Sequence, residues 1–217
     1  MRNTFLALLL AMALAAPSAL AVDGVVLINQ STVTAAGGFP YIISQPGSYK
    51  LSGSLTMSTT GTGNYQAGPS RYDIAIQINS NNVLLDLNGF SITMNNADPN
   101  LGHDYFAVAS AVGTSQTSVK NGFINITSVA EMNPTSNNSS VGVFLLGSPM
   151  CSVEDLVVSL PLNNSFGYAV IVGRESLIRH NRLSAPAASG AECPSVIVEN
   201  AGIGNQGAGC VSANNVP

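Results

Sequence analysis

Charged residues are scarce in this chain of 217 residues, because they make up 8% of it against about 25% in a typical globular protein. The formal net charge is −4, so we expect neither a basic face for nucleic acid nor a polybasic patch for an anionic membrane surface. Tryptophan is absent, and a sugar-stacking platform of aromatic rings is not conspicuous. Asn, Ser, Thr and Gly must cover the surface, as is common in exported β-rich proteins.

Long apolar runs are also missing, and none approaches the ~18 residues that would span a bilayer. Residues 1–21 instead have the features of a signal peptide. Arg2 is positively charged, Phe5–Ala16 is an apolar run, and Ala19–Ala21 fits the small-residue cleavage pattern. We therefore expect export to the extracellular space, the cell surface or the periplasm. Residues 22–217 are then one domain of ordinary size.

Cysteines are few, and their number is odd: Cys151, Cys193 and Cys210. An exported protein can form a disulfide, and an odd number leaves one thiol over. Cys193 and Cys210 are expected to flank the same last structural unit, so they are the predicted pair. The alternative for each cysteine is the role of a small buried hydrophobic residue.

A repeated strand–corner–strand pattern is the main positive feature of the sequence. Val83–Leu87 and Phe90–Met94 are two predicted strands joined by an Asn88-Gly89 corner, and Ser118–Ile126 repeats the pattern. Recurrence at about thirty residues indicates stacked coils. We therefore predict an all-β, single-stranded right-handed parallel β-helix solenoid of about six short coils, with an N-terminal cap over residues 22–38. The alternative is an antiparallel sandwich with Asn-Gly hairpins.

The predicted corners carry asparagine because a tight bend needs a residue that tolerates left-handed backbone angles. Stacked asparagine side chains can also bond to one another as a ladder. The candidates for this corner ladder are Asn88, Asn121, Asn181 and Asn214.

Two segments resemble a known family. Ala75–Thr93 resembles the coils of the right-handed parallel β-helix, or pectate-lyase-like, superfamily, and Tyr41–Leu55 resembles the opening coil of exported bacterial members. The resemblance implies the fold over nearly all of the mature chain. It does not assign a function, because that fold hosts polysaccharide lyases, glycoside hydrolases, esterases, adhesins and proteins without known activity.

Catalytic motifs of that family are missing. The chain has no Asp-Asp pair and no Arg-x-Lys, and it has Gly102-His103-Asp104 where galacturonan hydrolases carry Gly-His-Gly. The catalytic candidates are acidic or basic residues on three predicted loops. A lyase would use the acidic ones to hold Ca²⁺ and His103 or Arg71 as the base. No other metal or cofactor is expected. The acidic and histidine candidates are Asp98, His103, Asp104 and Glu131.

Sparse and scattered ionisable residues favour a non-catalytic role. We expect a secreted or surface-associated structural or polysaccharide-binding module. The alternative is a small lyase or glycoside hydrolase acting on an extracellular polysaccharide, including a uronate. Expected partners are thus polysaccharides, with no nucleic acid and no membrane span. Self-association through the C-terminal coil is also expected, because the sequence ends directly after a predicted corner.

Overall fold

The computed structural model describes residues 24–59, 64–67, 70–96, 104–128, 139–160, 166–185, 187–191, 195–202 and 210–215. The prediction of an all-β chain is confirmed, because strands dominate the described residues and the described helix is a single short one. The strands form two sheets. The predicted signal peptide, residues 1–21, lies outside the described residues.

The larger sheet, sheet A, contains the strands that carry the Asn-Gly pattern. Its described strands are β1 (Val25–Ile28), β3 (Gly47–Leu51), β4 (Leu55–Thr59), β7 (Val83–Asp86), β8 (Ser91–Asn96), β10 (Thr117–Ser128), β12 (Ser152–Ser159), β14 (Leu177–Arg179), β15 (Arg182–Ser184), β17 (Val196–Val198) and β18 (Val211–Ala213).

The smaller sheet, sheet B, contains the more continuously apolar strands. Its described strands are β2 (Tyr41–Ile43), β5 (Tyr65–Ala67), β6 (Ser70–Ile78), β9 (Asp104–Ser110), β11 (Ser139–Leu145), β13 (Phe166–Val172) and β16 (Ala187–Ala191).

Strand pairing is parallel throughout the described residues, except where the short β5 pairs antiparallel with β6. The chain alternates between the sheets, so that β9 of sheet B precedes β10 of sheet A, and β11 precedes β12. Each strand therefore lies beside the strand from the preceding passage. Val119 of β10, for example, is in register with Leu85 of β7 on one side and Val153 of β12 on the other.

The hydrophobic core lies between the two sheets. Leu85 and Ile92 from sheet A and Ile76, Val143 and Val170 from sheet B are fully buried members of one cluster. The core therefore runs through consecutive passages of the chain. A Leu→Ala or Ile→Ala change inside such a cluster typically costs about 2–5 kcal/mol.

The N-terminal segment adds an edge strand and a short helix. Among the described strands, β1 pairs only with β3, so it borders sheet A. Helix α1 (Gln30–Ala35) follows and starts with a capping box, because Asn29 Oδ1 accepts from the Thr32 backbone N–H at 3.0 Å and Thr32 Oγ1 accepts from the Asn29 N–H at 2.8 Å. Val33 is buried in the main core and fixes the helix to it.

Left-handed corners recur in sheet A. Asn88, Asn121 and Asn214, three of the predicted corner residues, have φ of 53°, 61° and 54°. Asn181 differs from the prediction, since the left-handed residue there is the preceding His180, with φ of 54°. The left-handed conformation is sterically less favourable for histidine than for asparagine. Hydrogen bonds of His180 with Glu199 and of the Asn181 N–H with Asn200 stabilise it here.

The observed asparagine ladder differs from the predicted set. It consists of Asn181, Asn200 and Asn215, which lie directly after left-handed residues rather than at them. Asn181 Nδ2 donates to Asn200 Oδ1 at 2.9 Å, and Asn200 Nδ2 donates to Asn215 Oδ1 at 3.1 Å. The side chain of a residue directly after a corner points inward. Its amide therefore hydrogen-bonds to backbone N–H and C=O groups that have no backbone partner at the corner.

Asn88 and Asn121 make other contacts. Asn88 Nδ2 donates to the Leu51 carbonyl oxygen at 3.1 Å, and Asn121 Nδ2 donates to Asp86 Oδ1 at 3.1 Å. Gly122 lies directly after the left-handed Asn121, which is the position that the ladder asparagines occupy at other corners. A Cβ there would lie 2.4 Å from Leu87 Cβ, so only glycine fits.

Candidate functional site

A concave groove of about 340 Å³ lies on the outer face of sheet B. It follows from a break in the in–out alternation of β6, β9, β11 and β13. In β6, both Ala75 and Ile76 belong to the core cluster, while Ile74 and Gln77 line the groove. Two consecutive residues, Ala75 and Ile76, thus point into the core. The residues before and after them, Ile74 and Gln77, both point outward into the groove, as happens where a β-bulge interrupts a strand.

Small residues permit this break on successive strands. Ala75, Ala107, Gly142 and Ala169 lie between the same two registered rows of sheet B. A Cβ on Gly142 would lie 2.5 Å from the Ala169 carbonyl oxygen and 2.6 Å from Val158 Cγ1. The backbone is therefore packed too tightly here for a larger inward side chain.

Aromatic rings occupy much of the groove. The ring centroids of Tyr72 and Phe106 are 5.5 Å apart, and those of Phe106 and Phe144 are 4.8 Å apart with an interplanar angle of 12°. Phe106 thus has an aromatic ring against each of its faces and is only 7% exposed. It therefore packs between its neighbours and offers little surface to a ligand. Phe144 is half-buried and ends this stack on the β11 side, where Tyr168 follows on β13.

Phe144 and Tyr168 are, together with Tyr72, the half-buried aromatic residues of the groove. Phe144 has one ring neighbour among the described residues, which leaves its second face without a stacked ring. Tyr168 is half-buried, and its hydroxyl makes no hydrogen bond with the described part of the chain. An apolar face and a nearby hydroxyl are therefore presented together.

Polar groups line both ends of the groove. Asp104, the first residue of β9, is half-buried, and its Oδ1 accepts from the Ser139 backbone N–H at 2.7 Å. Farther along, Gln77 is buried, and its Nε2 donates to Asn79 Oδ1 at 2.9 Å. The amide oxygen of Gln77 accepts no hydrogen bond from a described residue, so it can accept one from a ligand.

A second lateral surface, the polar face, lies on sheet A and carries no ring stack among its described residues. Its outward side chains form two registered rows of hydroxyls and amides across β4, β8, β10 and β12, beside the exposed Phe123 and Val157. Thr127 Oγ1 donates to Asn95 Oδ1 at 2.9 Å across this surface. The described members of the two rows are Thr56, Thr93, Asn125 and Ser159, and Ser58, Asn95 and Thr127.

Of the residues predicted as catalytic, the structure brings one to the groove. Asp104 lines it, whereas Asp98, His103 and Glu131 lie outside the described residues. Arg71 belongs to β6, and its side chain is not among those described. Glycoside hydrolysis requires two carboxyl groups, so the described lining supplies one of the two.

A row of charged residues also lies on the outer side of sheet A. Outward residues of opposite sign alternate across five strands, in the order Lys50, Asp86, Lys120, Glu154 and Arg179. The Arg179 guanidinium is 2.6 Å from the Glu154 carboxylate. Opposite charges on neighbouring strands stabilise one register and disfavour others.

The cysteines divide into two kinds. Cys151 is free and buried, and burial raises the pKa of its thiol. Cys210 is disulfide-bonded, and Cys193 lies outside the described residues.

Within the described ranges, no group of three or more His, Cys, Asp or Glu side chains is placed to hold a metal ion. No helix in the described part of the chain is long and apolar enough to cross a bilayer.

Sequence reasoning did not find the groove. A signal was nevertheless present, since a large residue is followed by a small one at the same position of four strands. These pairs are Ile74-Ala75, Phe106-Ala107, Val141-Gly142 and Tyr168-Ala169.

Comparison with known proteins adds no relative: no family model, no curated protein and no solved structure matches this chain.

Proposed function

We propose that the chain is a right-handed parallel β-helix of the pectate-lyase-like superfamily, with about six coils. Parallel pairing between consecutive passages and alternation between two sheets support this architecture. Right-handed connection is the rule for parallel strands joined within a sheet. In this proposal the left-handed residues of sheet A are the corners of the coils, and residues 22–38 cover the first coil.

We further propose that the protein is an exported polysaccharide-binding module that holds a short stretch of a glycan chain in the sheet B groove. The single observation that carries this proposal is the pairing of Phe144 and Tyr168 with polar groups at both ends of a groove of about 340 Å³. A pyranose ring has apolar C–H faces and hydroxyl edges. It therefore suits a site that presents ring faces beside hydrogen-bonding groups.

The sugar would stack against the accessible part of the Phe144 ring, because Phe106 already has rings on both sides. Its hydroxyls would then reach the Tyr168 hydroxyl and the Gln77 amide oxygen. A ring contact of this kind contributes about 0.5–1.5 kcal/mol beyond buried area. One contact is too weak for tight binding, so avidity along a polymer with several bound copies would supply retention on a surface.

Binding to a panel of soluble polysaccharides, measured by affinity electrophoresis and calorimetry, tests this function. Phe144→Leu keeps the apolar volume but removes the ring face, and we expect it to weaken binding by about three- to tenfold. Thr93→Ala on the polar face is the matched control and should bind as the wild type does. Equal losses in both variants, or no polysaccharide bound by the wild type, would reject the groove as the binding site.

A lyase or hydrolase is the alternative function, because Asp104 places one carboxylate in the same groove. The same panel decides between them. Release of reducing or unsaturated ends by the wild type, and its loss in Asp104→Asn, would establish catalysis. Without such products, binding alone is the function.

Export is proposed from residues 1–21, and self-association is proposed at strand β18. This proposal is supported by the pairing of β18, which among the described strands is with β17 alone. Light scattering of the purified protein over a range of concentrations tests the association. A single monomeric mass throughout would contradict it.

A further inference from the structure

Asp104 is the one acidic or basic side chain among the described residues that line the groove. The other described lining groups are aromatic, aliphatic, hydroxyl or amide side chains. Its Oδ1 is held by the Ser139 N–H, and neither carboxylate oxygen has another partner within the described residues. The carboxylate therefore keeps hydrogen-bonding capacity directed at the groove.

The aromatic rings of the groove, like the Asp104 carboxylate, favour a positively charged ligand. The faces of Phe and Tyr rings carry negative electrostatic potential and attract cations, with contributions of about 0.5–1 kcal/mol at accessible sites. Phe144 and Tyr168 line the groove together with Asp104. A positive group in the groove would thus interact favourably with both the carboxylate and the rings, whereas a negative group would be repelled by the carboxylate.

We propose that the groove selects glycans that carry free amines, such as glucosamine-type oligosaccharides, and rejects uronates. This inference rests on the proposed function, and it identifies the glycan class that the same site takes. Both attraction of the amine and repulsion of the uronate come from Asp104, so a single carboxylate supplies both parts of the discrimination.

The experiment compares three oligosaccharides of matched length: a glucosamine oligomer, its N-acetylated counterpart and an oligogalacturonate. The first two share their linkage and ring and differ in charge. We expect the wild type to bind the amine form about three- to tenfold more tightly than the N-acetylated form, with the difference shrinking as salt increases. Binding of the oligogalacturonate should be the weakest of the three.

Asp104→Asn is the decisive variant, because asparagine keeps an acceptor for the Ser139 N–H and removes the charge. Its preference for the amine form over the N-acetylated form should disappear, while its melting temperature stays unchanged. Glu175→Gln removes the same charge from an exposed position outside the described groove lining, and it should retain the wild-type preference.

The outcomes separate the two proposals. A preference that persists in Asp104→Asn, a loss that is equal in Glu175→Gln, or tightest binding of the oligogalacturonate would overturn the selectivity. Binding of the amine and N-acetylated oligomers with equal affinity would also overturn the selectivity and leave the binding function in place. If no oligosaccharide or polysaccharide binds, the proposed function itself fails.

Discussion

Asn200 offers the sharpest test of the asparagine ladder. Its side chain is 2% exposed, and its Oδ1 accepts from both the backbone N–H and the Nδ2 of Asn181 at 2.9 Å. Its Nδ2 donates to the Ile178 and Val198 carbonyl oxygens at 3.0 and 2.7 Å. One buried amide therefore joins three neighbouring passages of the chain.

Replacing Asn200 with alanine removes these bonds and leaves the buried N–H of Asn181 without its acceptor. An orphaned buried polar group costs about 1–3 kcal/mol, and each lost hydrogen bond adds about 1 kcal/mol. We expect Asn200→Ala to lower the free energy of unfolding by about 2–4 kcal/mol. Urea denaturation followed by circular dichroism measures this change, with two-state behaviour checked at two wavelengths.

Asn125→Ala is the matched control. Asn125 faces outward on the polar face and makes no hydrogen bond within the described part of the chain, so its removal should change stability by less than about 0.5 kcal/mol. If Asn200→Ala is as mild as Asn125→Ala, the ladder does not stabilise the stacked strands and the reasoning is refuted.

Asn200→Asp sharpens the same test. The carboxylate keeps an acceptor for Asn181 but faces the Ile178 and Val198 carbonyl oxygens without a donor. Burial and those oxygens raise the pKa of the introduced carboxyl above its unfolded value. Its neutral form is therefore tolerated below the unfolded pKa, and stability falls as pH rises through the folded pKa. The variant should lose more stability at neutral pH than at acidic pH, relative to the wild type.

Three further outcomes follow from the packing and charges. Gly142→Ala should destabilise the protein by about 1–3 kcal/mol in urea because its Cβ would contact backbone, whereas Gly53→Ala, whose nearest atom would be 3.6 Å away, should be neutral. Arg179→Ala should cost less than about 1 kcal/mol, since its pair with Glu154 is solvent-exposed, and a larger loss would show that the alternating charges stabilise the fold. Burial raises the pKa of the Cys151 thiol above its ordinary value of 9.0, so stability should fall as pH rises through the raised pKa. Cys151→Ala should weaken that fall in alkaline denaturation curves, and an unchanged slope would contradict it.

The strands and corners of sheet A could be predicted from the sequence because their two faces differ in polarity. Alternation of apolar and polar residues marks the strands, and Asn88-Gly89 marks the bend between β7 and β8. Observed β7 and β8 lie within two residues of the predicted strands at each end.

At Asn214 the predicted ladder differs by one residue from the observed ladder, since the side chain that forms the hydrogen bond is that of Asn215. Adjacent asparagines satisfy the same sequence pattern, and only the register decides which one points inward. Asn200 was missed for a related reason. It follows Glu199, a left-handed residue of a type that seldom adopts that conformation, so no Asn-Gly signal marked the corner.

The groove could not be predicted because β6, β9, β11 and β13 are apolar on both faces. A continuous apolar run does not tell which side chains face the core and which face outward. Their distinction depends on the break at Ala75, Ala107, Gly142 and Ala169, which becomes visible only when the strands are aligned in register.

A crystal structure of the protein soaked with a saturating glucosamine oligomer tests the central claim most directly. The proposal predicts electron density for a sugar ring stacked on the Phe144 ring, within hydrogen-bonding distance of Tyr168 and with its amine at Asp104. An empty groove, or an oligomer bound along the polar face of Thr56, Thr93 and their neighbours, would contradict it.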